Sequence, residues 1–259
     1  MKKILFLLYG IVSYAIFFAT FCYAVGFVST WFVPKHIDSA PQSGLGFALL
    51  INAGLLALFA LQHSVMARPA FKAWFTKFVP EPIERSTYVL LASLCLIVLF
   101  YYWEPLGGVI WSVESEGMQI FLKALCLFGF LIVLISTFLI NHFDLFGLRQ
   151  VWMYFTGKKY ETLPFRTPLF YKLVRHPIYL GFIIAFWSTP LMTAAHLFFA
   201  IMTTGYILIA IQLEERDLIK HYGNLYVVYK RNASMLIPFA GGKRRNEETT
   251  QKNITPVNR

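Results

Sequence analysis

The chain has 259 residues, of which 58% are hydrophobic, 18% aromatic and only 14% charged. A soluble domain is about a quarter charged and a little under half apolar, so this composition excludes one and describes a polytopic membrane protein. The net charge of +10 sits between apolar runs and in the C-terminal tail, where it reports membrane topology and gives no reason to expect a nucleic-acid partner.

Lys2 and Lys3 precede an apolar block over 4–33. It far exceeds the ~7–15-residue core of a signal peptide and reads as a retained first span. Blocks 44–62, 86–103 and 118–140 follow, each long enough for a span of about 20 residues. A fifth block, 178–213, contains no Asp, Glu, Lys or Arg. As one helix it would be about 54 Å long, against a hydrocarbon core of about 30 Å. Pro190 lies near its middle, and a proline inside a helix kinks or breaks it.

Charge orders these blocks. Arg68, Lys72, Lys77 and Arg85 follow the second, and Arg149, Lys158, Lys159, Arg166, Lys172 and Arg175 follow the fourth. The loop after the third is acidic, with Glu104, Glu114 and Glu116. Basic loops face the cytoplasm. Arg216, Lys220, Lys230 and Arg231 after the fifth block stay inside only if that block crosses twice, turning near 190–194; a single long tilted helix is the alternative. The expected fold is all-α: a polytopic membrane helical bundle of four spans, a C-terminal helical hairpin and a cytoplasmic amphipathic helix, with both termini cytoplasmic. Residues 1–240 form one domain, with a cofactor region at about 141–238, and polar residues 241–259 read as a disordered tail.

Cys22, Cys95 and Cys126 lie inside apolar runs without metal-ligand spacing, so they read as buried small hydrophobes, and no metal site is expected. His196, inside the hairpin, reads as structural, and His63, after the second span, receives no role.

Four groups of residues carry chemistry. Residues 141–149 read Asn-His-Phe-Asp-Leu-Phe-Gly-Leu-Arg, and place His142, Asp144 and Arg149 at the end of the fourth span. His142 and Asp144 are too close in sequence to share a helix face, so a loop or fraying helix end is expected. Arg175-His176-Pro177-Ile178-Tyr179-Leu180-Gly181 opens the fifth block. Pro177 suits the first position of a helix, and its N-terminus with Arg175 makes a corner fit for a carboxylate; Gly181 permits close approach by a ligand or a helix. Glu214-Glu215 closes the block, two carboxylates at a boundary where basic residues are favoured. Charged groups at a membrane boundary are costly and mark a site hypothesis. Finally Leu218, Ile219, Tyr222, Tyr226 and Tyr229 recur at three- and four-residue steps, one face of an amphipathic helix interrupted near Gly223, which suits either the membrane surface or aromatic contacts to a ligand.

The pattern R-H-P-x-Y-x-G, an apolar hairpin, then E-E and a tyrosine ladder resembles the membrane methyltransferase superfamily of isoprenylcysteine carboxyl methyltransferases and phospholipid methyltransferases. With the 141–149 segment and the overall block layout, the chain looks closer still to its nurim-like branch, and there to the thiol S-methyltransferases. The resemblance implies S-adenosyl-L-methionine as cofactor, held by Arg175, His176, Tyr179, Gly181, Glu214, Glu215 and, among the tyrosines, Tyr222. It implies a small hydrophobic thiol as acceptor, methanethiol giving dimethyl sulfide. A thiol reacts as its thiolate, so His142 or His176 would serve as base and Arg149 or Arg175 would favour the anion, with Asp144 beside them. Another acceptor such as prenylcysteine, a nicotinamide-dependent membrane reductase and a non-enzymatic nurim-like protein are the alternatives.

Overall fold

A computed structural model describes residues 1–240; the polar tail expected at 241–259 lies outside the described residues. The elements in chain order are α1 (Lys2–Ser29), α2 (Leu45–Ala67), α3 (Pro69–Phe75), α4 (Glu81–Tyr102), β1 (Val109–Ser112), α5 (Glu116–Ile140), α6 (His142–Leu145), α7 (Leu148–Thr156), α8 (Phe170–Leu173), α9 (Pro177–Trp187), β2 (Leu191–Thr193), α10 (Ala194–Tyr222) and α11 (Asn224–Asn232). Helices α1, α2, α4, α5 and α10 are long and apolar enough to cross a membrane, and α9 is a shorter apolar helix. Large side chains such as Leu50, Leu61 and Ile209 are more than half exposed on the outside of the bundle. In water such a belt would be a liability; in lipid it is the solvated surface.

The fifth apolar block does break into a hairpin. Helix α9 begins at Pro177 and ends at Trp187, a rise of about 16 Å that is too short to cross alone. Thr189 Oγ1 donates to the Leu191 carbonyl, and β2 pairs antiparallel with β1, Trp111 opposite Met192. This small sheet was not expected from an all-α reading. Pro190 and the turn leave the backbone groups of 191–193 without helical partners, and the α4–α5 connection supplies them. Thr193 then caps α10, its Oγ1 accepting from His196 N–H at 3.1 Å. Beneath it the fully buried His196 ring lies 3.1 Å from Asp38 Oδ2, with Nε2 3.0 Å from the Phe186 carbonyl. The structural role expected of His196 is locking the hairpin tip to the α1–α2 loop.

Two glycines set the hairpin against the bundle. A methyl added to Gly181 would lie 2.6 Å from the Gly129 carbonyl oxygen, and one on Gly129 would lie 2.6 Å from the Gly181 carbonyl oxygen. Helices α5 and α9 therefore pack backbone to backbone, as small residues allow in membranes. The close approach permitted by Gly181 is taken by a helix.

The α9 N-terminus, the α10 C-terminus and α11 gather at the end of the bundle opposite the β1–β2 sheet. Helix α10 stops at Gly223, φ 57°, and α11 restarts the chain in a new direction. This is the interruption expected near Gly223. Further helices not anticipated are α3, started by Pro69 after the second span, α7, started after Gly147, and the one-turn α8. Gly147 itself, φ 89°, sits against the Ser86 backbone where a side chain would collide.

Candidate active site

The stretch 174–176 is extended, because a residue preceding proline is biased away from helix. It pairs with the segment after α11: Val174 bridges Ser234 in parallel, Arg175 N–H donates to the Ser234 carbonyl at 2.8 Å, and His176 N–H to the Met235 carbonyl at 3.3 Å. These bonds aim both side chains at the end of α10.

There the structure separates the two adjacent glutamates. The Glu215 side chain is 3% exposed. Its Oε1 accepts from Arg175 Nε at 2.7 Å and faces His176 Nε2 at 3.1 Å, while Oε2 is paired with Lys230 Nζ. A buried carboxylate is tolerated only when paired and hydrogen-bonded, and Glu215 has three donors. Arg175 Nη1 donates to the Ala233 and Lys230 carbonyls, and its Nε is taken by Glu215, so the expected carboxylate corner at Arg175 is filled by Glu215.

Glu214 differs. Its side chain is 42% exposed. Its Oε2 accepts from Tyr179 Oη at 3.0 Å and lies 3.8 Å from His176 Nδ1. His176, 5% exposed, thus stands between the two glutamates with one ring nitrogen toward each. The accessible carboxylate of the cluster is Glu214, and the rest of the cluster holds it in place.

The tyrosine face gathers around Phe165, with Tyr222 at 5.0 Å, Tyr229 at 5.4 Å and Tyr226 at 6.0 Å between ring centroids. Tyr229 Oη donates to the Tyr171 carbonyl at 2.6 Å. Burial pushes the Tyr226 and Tyr229 phenols above their ordinary range, so both stay neutral. Tyr222 rests on Phe165, and no described hydrogen bond joins it to the glutamates.

The residues of the 141–149 segment form separate clusters. His142 opens the one-turn helix α6, after Asn141 turns at φ 135°. It is 3% exposed, stacks on Phe138 at 4.1 Å, and its nitrogens meet Tyr14 Oη and Thr137 Oγ1, both at 2.8 Å. Burial lowers its pKa, so the ring is neutral at pH 7. Asp144 accepts from Arg149 at 2.9 Å and from Tyr160 at 3.1 Å. No described hydrogen bond links either group to the Arg175–Glu215 cluster, so the two histidines considered as base lie in different networks.

Lys230 and Tyr14 went unnoticed in the sequence. Lys230 reads there as one more basic residue of the cytoplasmic side, and only the turn at Gly223 returns it to Glu215. Among the described residues no group of three or more His, Cys, Asp or Glu is placed to hold a metal ion.

Comparison with known proteins agrees with this architecture. A family model described as NnrU protein matches residues 50–219. A methanethiol S-methyltransferase of Crocosphaera subtropica is 56% identical over 237 residues, covering 92% of this chain and 93% of that protein. A methanethiol S-methyltransferase of Mycobacterium tuberculosis is 52% identical over 239 residues, covering 92% and 98%. Nurim of Sus scrofa is 30% identical over 176 residues, covering 64% and 66%. No solved structure matches the chain. With the match to the family model spanning most of the chain, and identity above one half along nearly its full length, this integral multi-pass membrane protein belongs to the NnrU protein family, together with the methanethiol S-methyltransferases.

Proposed function

We propose that the protein transfers a methyl group from S-adenosyl-L-methionine to methanethiol, giving dimethyl sulfide. The observation that carries this reading is the half-exposed Glu214, oriented by Tyr179 and His176 beside a fully compensated Glu215. The names of the relatives supply the acceptor. The donor set fits the cofactor: Glu214 keeps acceptor capacity for an amino group or a ribose diol, and Tyr179 and His176 border it. Bound there, S-adenosyl-L-methionine supplies an electrophilic methyl carbon on a sulfonium.

The chain's own contribution is positioning. In-line displacement needs the acceptor close and aligned, and such pre-ordering is worth several kcal/mol of barrier, up to about 7–11 in the best cases. Arg175 fixes Glu215 and ties α10 to the carbonyls after α11, so the cofactor end stays rigid. Burial of His176 and Glu215 keeps bulk water from this corner. A small apolar thiol partitions into lipid and reaches the site between helices. Residues 1–240 act as one domain, with both termini and the Glu214 end of the bundle on the cytoplasmic side, as the basic loops require.

The test is a headspace assay. Membranes containing the protein receive S-adenosyl-L-methionine and methanethiol, and dimethyl sulfide is read by gas chromatography. Dimethyl sulfide from wild type, lost in Glu214→Gln protein that still inserts, supports the reading. An inserted wild type that binds S-adenosylhomocysteine but makes no dimethyl sulfide refutes methanethiol as the acceptor.

A further inference from the structure

A second polar cluster joins α2 and α4 to α10, the helix that carries Glu214. His63, near the end of α2, faces Tyr88 on α4: Tyr88 Oη is 2.9 Å from His63 Nδ1 and 3.0 Å from Nε2. A single hydroxyl at equal distance from both ring nitrogens can bond well with only one of them, so the imidazole retains the capacity of the other nitrogen. Phe59 stacks on the other side of the ring at 5.2 Å. One residue on, Ser64 Oγ and Tyr206 Oη are 3.1 Å apart, joining α2 to α10. Arg68, one turn further, pairs with Asp217 at 2.8 Å. Helix α2 is therefore pinned along the same helix that carries Glu214.

The cluster belongs to the same neighbourhood as the cofactor corner. Its partners on α10, Tyr206 and Asp217, bracket Glu214 in sequence, eight residues before it and three after. Tyr206 stands about 12 Å from Glu214 along α10, deeper in the bundle. Its surroundings are apolar: Tyr88 packs with Met66 and Val89, and Phe71, Phe75 and Phe146 border them. Cations frame it: the Arg85 guanidinium is 5.9 Å over the Tyr88 ring, and Arg68 caps the end of the helix that carries His63. An apolar corner with two cations, hydroxyls and an imidazole with unused capacity is an environment that takes up a small thiol and favours its anion.

We propose that Tyr88 and His63 form the acceptor side of the active site, with Tyr88 holding the thiol sulfur and His63 accepting its proton. This inference rests on the thiol-methylation reading above. The balance is complete: the S–H bond breaks and its proton passes to the imidazole; the sulfur's electron pair forms the new S–CH3 bond; the pair of the broken C–S⁺ bond stays on the departing sulfur. The imidazolium then releases its proton to water. The charged and titratable groups around His63 are Arg68 at the cap of its own helix, Tyr88 and Arg85 on α4, Tyr206, Glu214 and Asp217 on α10, and Tyr179 on α9.

The experiment uses the full-length protein in nanodiscs. S-adenosylhomocysteine affinity is measured by calorimetry, and kcat and KM for methanethiol from pH 6.5 to 9.5, for wild type, His63→Gln and Tyr88→Phe. In His63→Gln, kcat/KM for the thiol should fall on the order of 100-fold at pH 7, while the S-adenosylhomocysteine Kd changes by less than about threefold. Its rate should then climb close to tenfold per pH unit, because solvent must ionise the thiol, whereas wild type is nearly flat. Tyr88→Phe should raise KM for the thiol about tenfold. Near-wild-type kcat/KM in both variants overturns the inference, as does loss of S-adenosylhomocysteine binding in both, which would mark the pair as part of the cofactor corner or as structural. An inactive wild type that binds S-adenosylhomocysteine defeats the functional reading itself; an active wild type with unaffected variants defeats only this one.

Discussion

Arg175 reaches Glu215 across 40 residues of sequence, Nε to Oε1 at 2.7 Å, with both side chains less than a tenth exposed. This pair joins the start of α9 to the end of α10. It closes the hairpin at the same end of the bundle where Glu214 lies.

Removing the carboxylate of that pair should unfold the corner. Glu215→Ala leaves Arg175 and Lys230 facing a site with no anion, and an uncompensated buried charge costs about 3–5 kcal/mol. The expected result is a clearly lowered melting temperature in detergent, with Glu215→Gln intermediate. An unchanged melting temperature for Glu215→Ala would show that the pair carries no stability.

Glu214 should behave in the opposite way. Glu214→Gln should melt within about 2 °C of wild type, since its side chain is half-exposed and loses little packing. Its affinity for S-adenosylhomocysteine should fall at least about tenfold, the equivalent of 1.4 kcal/mol. Tyr179→Phe, which frees Glu214 to rotate, should weaken binding by a smaller factor in the same direction. Calorimetric titration of the three proteins decides the matter.

The α5–α9 contact admits no methyl group on either side. Gly181→Ala and Gly129→Ala should each destabilise by about 1–3 kcal/mol or more, because the obstacle is backbone and overpacking cannot relax. Gly205→Ala is the control. It also lies in a helix, but a Cβ there meets no atom within 4 Å, so it should be neutral or slightly stabilising. Thermal unfolding followed by circular dichroism separates these cases.

His142 should make stability pH-dependent in one direction. Burial lowers its folded pKa below the ordinary value of about 6.5. The unfolded chain therefore binds the proton first as pH falls. Stability from neutral His142 is complete above about pH 6.5 and declines from there down to the lowered folded value. Between pH 7 and pH 5 the melting temperature of wild type should drop more than that of His142→Gln. Parallel curves would refute the assignment.

Topology gives a further check. The β1–β2 sheet lies at the opposite end of the bundle from Glu214. In protein lacking its three native cysteines, a cysteine replacing Ile110 should react with an impermeant maleimide added outside intact cells. One replacing Arg231 should react only after the membrane is opened. The reverse pattern would invert the proposed orientation.

Much of the fold was legible because membranes impose simple periodicities. Apolar length identified the spans, the alternation of basic and acidic loops required the 178–213 block to turn, and Pro190 marked the turn. The candidate residues Arg175, His176, Tyr179, Glu214 and Glu215 were legible as polar groups at a hydrophobic boundary. Their different environments were not. Glu214 and Glu215 are identical neighbours in sequence, yet α10 turns about 100° between them, so one faces Arg175 and Lys230 and the other faces Tyr179 and open space. Gly181 looked equally able to admit a ligand or a helix, and the packing of Gly129 chose the helix.

The sequence by itself determined a multi-pass helical membrane protein, because the cost of unsatisfied backbone and charge in hydrocarbon leaves few other ways to fold so apolar a chain. It also marked Arg175, His176, Tyr179, Glu214 and Glu215 as candidates, since only a few polar groups stand at the boundary. The tertiary structure decided which of them touch. Lys230 comes back to Glu215 through the turn at Gly223, His142 withdraws to Tyr14 and Thr137, and His63 meets Tyr88. These are contacts between residues from 5 to 128 positions apart, mostly across different helices. They depend on how helix faces interlock, and no local pattern of residues encodes that.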